Sequence, residues 1–140
     1  GAAAYQLFDS WAGMLTEAEY ETWAAPLHRK ILAAATGVPR ILFVKECPYL
    51  DAMAKSGAEV VSLGKRHDLA AAQDAYPHLV FQGNVDEEIL RIGTPEQVTE
   101  AVRACKRAGR GRRHILNLNH GVGKETPVAN FEAYVNAARE

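Results

Sequence analysis

Residues 59–82 read Glu59-Val60-Val61-Ser62-Leu63-Gly64-Lys65-Arg66-His67-Asp68-Leu69-Ala70-Ala71-Ala72-Gln73-Asp74-Ala75-Tyr76-Pro77-His78-Leu79-Val80-Phe81-Gln82. Two apolar runs, Glu59 to Leu63 and Leu79 to Phe81, are rich in β-branched or aromatic residues and too short for helices, so each reads as a buried strand. Between them Asp68 is placed as the N-cap of a helical stretch that runs to Ala75. A strand, a helix and the next strand thus follow within one short segment. Strands joined this way lie parallel, because a parallel return needs a crossover and a helix supplies it.

Outward from this segment the same unit recurs. Tyr5 to Phe8, Ile41 to Val44 and His114 to Leu118 complete a set of five strand-like runs, starting near positions 5, 40, 59, 79 and 114. Thr16-Glu17-Ala18-Glu19 is a capping box, in which hydroxyl and carboxylate each satisfy the other residue's amide. It opens a helix to about Ala35 with the apolar stripe Tyr20, Trp23, Ala24, Leu27, Ile31 and Ala34, and Pro26 inside it predicts a kink. Tyr49 to Ser56 reads as a shorter helix. Thr94-Pro95-Glu96-Gln97 opens another, which Gly109 ends, and Thr126-Pro127 opens the last, carrying Phe131, Tyr134, Val135 and Ala138. The fold class is therefore α/β, with five consecutive βα units forming a single domain over residues 1–140. A closed (β/α)8 barrel needs about 200 residues or more, so five units make a partial barrel with exposed sheet edges.

The composition, 48% hydrophobic and 24% charged over 140 residues, excludes disorder as the dominant state. A net charge of -1 supplies no overall field toward nucleic acid or an anionic membrane. The one basic run, Arg103, Lys106, Arg107, Arg110, Arg112 and Arg113, has no interleaved aromatic residues for base stacking. It reads as a helix end complementing the macrodipole plus a solvated loop, so neither a nucleic-acid nor a membrane partner is expected. Cys47 and Cys105 have no CxxC spacing and read as reduced thiols of an intracellular protein. The first residues lack a basic segment followed by an apolar stretch, and the expected location is cytoplasmic. The opening, without Met and a few residues before a strand, reads as a piece of something longer.

In parallel α/β folds the carboxyl ends of the strands build the site. Those ends are polar throughout: Asp9-Ser10, Lys45-Glu46-Cys47, Gly64-Lys65-Arg66-His67, Gln82-Gly83-Asn84-Val85-Asp86, and Asn117, Asn119 and His120. Several precede helix amino-ends, whose free amides favour anions. Read alone, His120 is either a functional group or a loop histidine bonded to nearby backbone. Lys45 is either an inward-pointing partner for an anion or a surface lysine. Asp9 is read as a structural acceptor as readily as a functional one, and Asn84 and Asp86 as turn and cap residues.

Three ordered segments carry a resemblance. Leu7-Phe8-Asp9-Ser10-Trp11-Ala12-Gly13, Gln82-Gly83-Asn84-Val85-Asp86, and Asn117-Leu118-Asn119-His120-Gly121 followed by Glu125-Thr126-Pro127 resemble the uroporphyrinogen decarboxylase family in order and separation, over essentially all 140 residues. The resemblance implies a cytoplasmic, dimeric TIM-barrel enzyme of haem biosynthesis. Such enzymes remove the four acetate carboxyls of the tetrapyrrole uroporphyrinogen to give coproporphyrinogen, with no metal and no organic cofactor. It implies that this chain is the C-terminal part, strands four to eight, while the family's arginine-rich segment, central aspartate and tyrosine belong to the first half. No catalytic residue is assigned here, and the chain alone is expected to be inactive. Ser10 and His120 carry over as substrate-binding residues that hydrogen-bond carboxylate side chains. Association, as a homodimer or through the exposed barrel edges, is expected.

The chain departs from the family pattern at three places. It has Leu63-Gly64-Lys65 where the family often has Leu-Asp-Trp, Glu46-Cys47-Pro48 where a glycine-rich stretch follows the lysine, and Asn119 in place of Gly. Two other readings follow from these departures and from the partial barrel. One is a zinc-dependent thiol methyltransferase of the same fold, for which Cys47 stands at a strand end but Lys45 replaces the motif's His. The other is a non-catalytic half-barrel that serves as an interaction module.

Overall fold

A computed structural model describes residues 1–140. Strands β1 (Tyr5–Asp9), β2 (Arg40–Val44), β3 (Val60–Ser62), β4 (Val80–Gln82) and β5 (His114–Ile115) form one sheet in chain order, every pair parallel. Helices supply the crossovers: α1 (Glu17–Glu19) and α2 (Ala25–Ala34) after β1, α3 (Leu50–Ala54) after β2, and α4 (Leu69–Ala75) after β3. Next come α5 (Glu87–Ile92) and α6 (Pro95–Ala108) after β4, and α7 (Val128–Arg139) after β5. Sequential order with a helix after each strand is the wall of a (β/α)8 barrel, five strands of its eight.

The pleat decides the two faces. Leu42, Val44, Val61, Leu63 and Phe81 are buried against the helices. The alternate residues form lateral rows on the other face. Gln6 pairs with Ile41, Ile41 with Val60 and Val60 with Val80; one row on, Phe8 pairs with Phe43, and Ser62 with Gln82 and then Ile115. On this inner face Phe8 is 66% exposed, so no helix covers it.

Most predicted caps form. Thr16 and Glu19 make the capping box, Asp68 Oδ1 accepts from Ala71 N at 2.8 Å, and Thr94 pairs reciprocally with Gln97. Where a kink is expected at Pro26, a π-helical segment, Tyr20–Ala24, precedes it between α1 and α2, with Ala25 N–H donating to Tyr20 O, five residues back, and Pro26 stands in the first turn of α2. A wide turn just before a proline makes room for its ring and removes the need for its missing N–H.

Elsewhere the structure corrects the reading. Thr126 does not cap α7; Pro127 occupies the cap and the Thr126 hydroxyl is buried without a partner. Gly109 ends α6 with φ -69, so it is not there for a left-handed turn. A Cβ at Gly109 would strike the His114 ring. The run His114 to Leu118 is a strand only at its start; the ladder breaks and resumes as a single bridge between Val85 and Leu118. The basic run agrees with its reading: Lys106 and Arg107 stand in the last turn of α6, and Arg103, Arg107, Arg110 and Arg112 are exposed, three of them also in surface ion pairs, Arg103 with Glu140, Arg107 with Glu100 and Arg110 with Asp74. Lys106 Nζ donates to Ala137 O and Ala138 O in the last turn of α7. No helix is long and apolar enough to cross a membrane.

Candidate functional site

β1 feeds the inner face with Gln6 and Phe8 and then Ser10, because every second residue of a strand shares a side. β2 does the same with Ile41, Phe43 and Lys45. The Lys45 N–H donates to Asp9 O at 2.9 Å, which extends the β1–β2 ladder by one step and sets Lys45 beside Ser10. Gly13 lets the β1 loop lie directly on the β2 loop, since a Cβ there would collide with Lys45 O.

Asp9 points the other way. Its Oδ2 accepts from His28 Nε2 at 2.9 Å, and Tyr20 Oη lies 3.2 Å from His28 Nδ1. A carboxylate only accepts, so Nε2 carries the proton and, in the neutral ring, the Tyr20 hydroxyl donates to Nδ1. Oδ1 accepts from the amides of Trp11 (2.9 Å) and Ala12 (2.8 Å). Burial pushes the Asp9 carboxyl up, but these amides and His28 outweigh it and hold it below its ordinary value. Asp9 is thus a structural acceptor that ties β1 to the helix carrying His28.

On the inner face, a cavity of about 400 Å³ opens between Phe8, Ser10, Phe43, Gln82, Asn117 and His120. The Phe8 and Phe43 rings are 5.4 Å apart and tilted, and Phe43 and His120 are 6.4 Å apart, so three rings line one wall. Gln82 Nε2 donates to Ser62 Oγ at 2.8 Å, which fixes the polar floor. His120 is half-buried, makes no hydrogen bond to backbone and lines this cavity. Ser10 and His120, 110 positions apart in the chain, therefore meet on one cavity.

Glu46, Gly64, Lys65 and Asn119 also come together. Glu46 has φ 48, a left-handed backbone, and its Oε1 accepts from Asn119 Nδ2 at 2.8 Å and from Lys65 N at 3.1 Å. Gly64 admits this carboxylate: a Cβ there would lie 2.9 Å from Glu46 Oε2 and 3.0 Å from its Cα. Asn119 Oδ1 accepts from Glu87 N at 2.7 Å, and Lys65 Nζ lies 3.3 Å from Asp86 and 3.6 Å from Glu88. Asn84 Nδ2 donates to Gly64 O and His67 O, the turn role its sequence position suggests, and Asp86 caps α5 through Glu88 N. A second cavity of about 400 Å³, lined by Lys45, Glu46, Lys65, Glu87 and Asn119, shares the wall His120-Gly121-Val122 with the first.

Cys47 and Cys105 are buried free thiols, and burial raises both above the usual thiol range. Cys105 Sγ lies 3.4 Å from Gly83 O and 3.8 Å from His114 Nε2, behind the sheet. Phe8, Gln82 and Asn117 lie within the motif segments without having been singled out there, and Phe43 lies in the second strand run outside any motif. For Phe8 the available signal is its period-2 placement between Gln6 and Ser10 on one face of β1.

The model of the uroporphyrinogen decarboxylase (URO-D) family matches residues 1–140. A protein named uroporphyrinogen decarboxylase from Synechococcus sp. (strain CC9605) is 41% identical over 145 residues, covering 99% of this chain and 41% of that protein. Another of the same name from Parasynechococcus marenigrum (strain WH8102) is 38% identical, again over 99% of this chain and 41% of its own length. The chain thus spans about 41% of the length of these relatives. Among solved structures, a methyltransferase from Methanosarcina mazei superposes with a TM-score of 0.83 at 20% identity, covering 99% of this chain and 42% of that one, a likeness of fold. With the family match along all of residues 1–140 and the motif residues gathered at the strand ends, the chain belongs to the uroporphyrinogen decarboxylase family.

Proposed function

We propose that residues 1–140 act as the C-terminal part, strands four to eight, of a barrel enzyme that decarboxylates the four acetate side chains of uroporphyrinogen to give coproporphyrinogen. The observation that carries this reading is the meeting of Ser10 and His120, the two motif residues, on a cavity walled by Phe8 and Phe43. Aromatic faces suit a flat pyrrole, and a hydroxyl and an imidazole suit its carboxylates. In the reaction a proton added to a pyrrole carbon makes the ring an electron sink. The bond to the carboxyl carbon then breaks, its electron pair enters the ring, and CO2 leaves. A proton at the side-chain carbon gives the methyl group, and loss of the first proton restores the pyrrole.

In this reading Ser10 and His120 hold substrate carboxylates, and the proton donor and the anion facing the pyrrole N–H groups come from the other part of the barrel. The enzyme is cytoplasmic and works as a homodimer, without metal or organic cofactor. Replacing His120 by Ala or Asn in the full-length enzyme is expected to lower turnover about tenfold or more and to increase the release of partly decarboxylated intermediates. Chromatography of the porphyrins obtained after oxidation reads both. An unchanged rate and product profile would overturn the assignment.

A further inference from the structure

The second cavity is the feature that the decarboxylase reading leaves unused. It holds two lysines in different electrical states. Lys65 is neutralised by Asp86 and Glu88. Lys45 is exposed, forms no ion pair and makes no side-chain hydrogen bond, although Glu46 is its neighbour in sequence. The separation of that adjacent pair has a visible cause. The left-handed backbone of Glu46 turns its carboxylate away toward Asn119 and the Lys65 amide, and Gly64 leaves the space for it. A non-glycine residue in this conformation is strained, so the surrounding contacts must hold it there. Glu87, on the remaining wall, keeps its Oε2 buried beside Gly123 and without a hydrogen-bond partner.

Two groups of this cavity therefore remain without a partner: the exposed ammonium of Lys45 and the buried Oε2 of Glu87. Lys45 follows Phe43 on the inner face, stands beside Ser10 through the β1–β2 ladder, and shares its cavity with His120. We propose that Lys45 and His120 form a second carboxylate-binding subsite next to the ring cavity, where Lys45 takes one acidic side chain of the substrate as a charge-assisted hydrogen bond. The identity of the molecule carrying that carboxylate rests on the decarboxylase reading; the anion site itself rests on the cavity and the unpaired lysine. Pinning Glu46 serves this subsite by keeping an anion from closing on Lys45.

The test uses the full-length enzyme with Lys45→Met, which keeps length and removes charge, and Lys45→Arg, which keeps charge. Expected are a KM for uroporphyrinogen raised about tenfold by Lys45→Met with kcat within about twofold, and a KM restored toward the original by Lys45→Arg. A second readout needs no turnover: acetylation of lysines by an amine-reactive ester, mapped by mass spectrometry with and without uroporphyrin, the oxidised octacarboxylate. Uroporphyrin is expected to slow labelling of Lys45 at least severalfold and to leave Lys55, remote from both cavities, unchanged. An unchanged KM in Lys45→Met, or equal labelling of Lys45 with and without uroporphyrin, would overturn the subsite. Protection of Lys45 in an enzyme that does not turn over uroporphyrinogen would support the subsite and overturn the decarboxylase reading instead.

Discussion

Asp9 and Ser10 are consecutive residues with opposite duties, because the pleat sends one to the helix layer and the other to the cavity. The Asp9–His28–Tyr20 chain joins β1 to the first long helix, with His28 and Tyr20 buried. Since the Asp9 carboxyl is held below its ordinary value of 3.8, folding is favoured by its ionised form. That contribution is complete above the unfolded value and is lost as pH falls through the lower native one. Asp9→Asn is therefore expected to flatten the loss of stability in the acid range below about pH 4, while lowering stability at neutral pH; urea unfolding followed by circular dichroism across pH 2.5–7 reads both effects. An equal acid slope in both proteins would remove Asp9 from this role. His28→Leu, which leaves the Asp9 carboxylate and the Tyr20 hydroxyl without their shared partner, is expected to cost about 2–3 kcal/mol in the same measurement.

At the scale of elements, the loops after β2 and β3 are fitted to one another. Gly64 follows β3 and Glu46 follows β2, and the missing Cβ of one accommodates the carboxylate and Cα of the other. Gly64→Ala is expected to destabilise by about 1–3 kcal/mol through this overlap. Glu46→Gly both relieves the left-handed strain and removes the side chain, so the penalty of Gly64→Ala is expected to shrink in the Glu46→Gly background. A double-mutant cycle of thermal melts measures that coupling, and strict additivity would show that the two loops are independent. The caps at Thr16, Asp68 and Thr94 were readable because a cap depends on three or four successive residues. The reason for Gly109 was not, since the His114 ring that fills its space comes from beyond the helix.

At the scale of the whole molecule, the sheet ends in two unpaired edges, β1 and β5. Beside β1, Tyr5, Leu27, Ile31 and Ala34 line an open apolar groove of about 650 Å³, and Trp23 is 68% exposed one helical turn before Leu27. Edges and apolar surface of this kind favour association. Residues 1–140 produced alone are expected to associate, and light scattering at several concentrations checks this. A persistent monomer of 15.3 kDa would refute it. The same preparation is expected to release no carbon dioxide from uroporphyrinogen, because each missing preorganised group commonly costs ~10²-fold or more in rate. Release above background would refute that expectation.

The alternation of strands and helices, the parallel sheet and most caps were determined by the sequence itself. Hydrophobic period, chain direction and capping chemistry act over a few residues, and their signals survive in one dimension. The tertiary structure decided which of the alternating strand residues face the helices, and so exposed Phe8, Phe43 and Lys45 together on the inner face. It also decided that Ser10 meets His120 and that Asn119 holds Glu46, 73 positions away, leaving Lys45 unpaired. The physical reason is that in a sheet with apolar residues on both sides the period of two is the same for either face. Contacts across such separations exist only once the strands have taken their register.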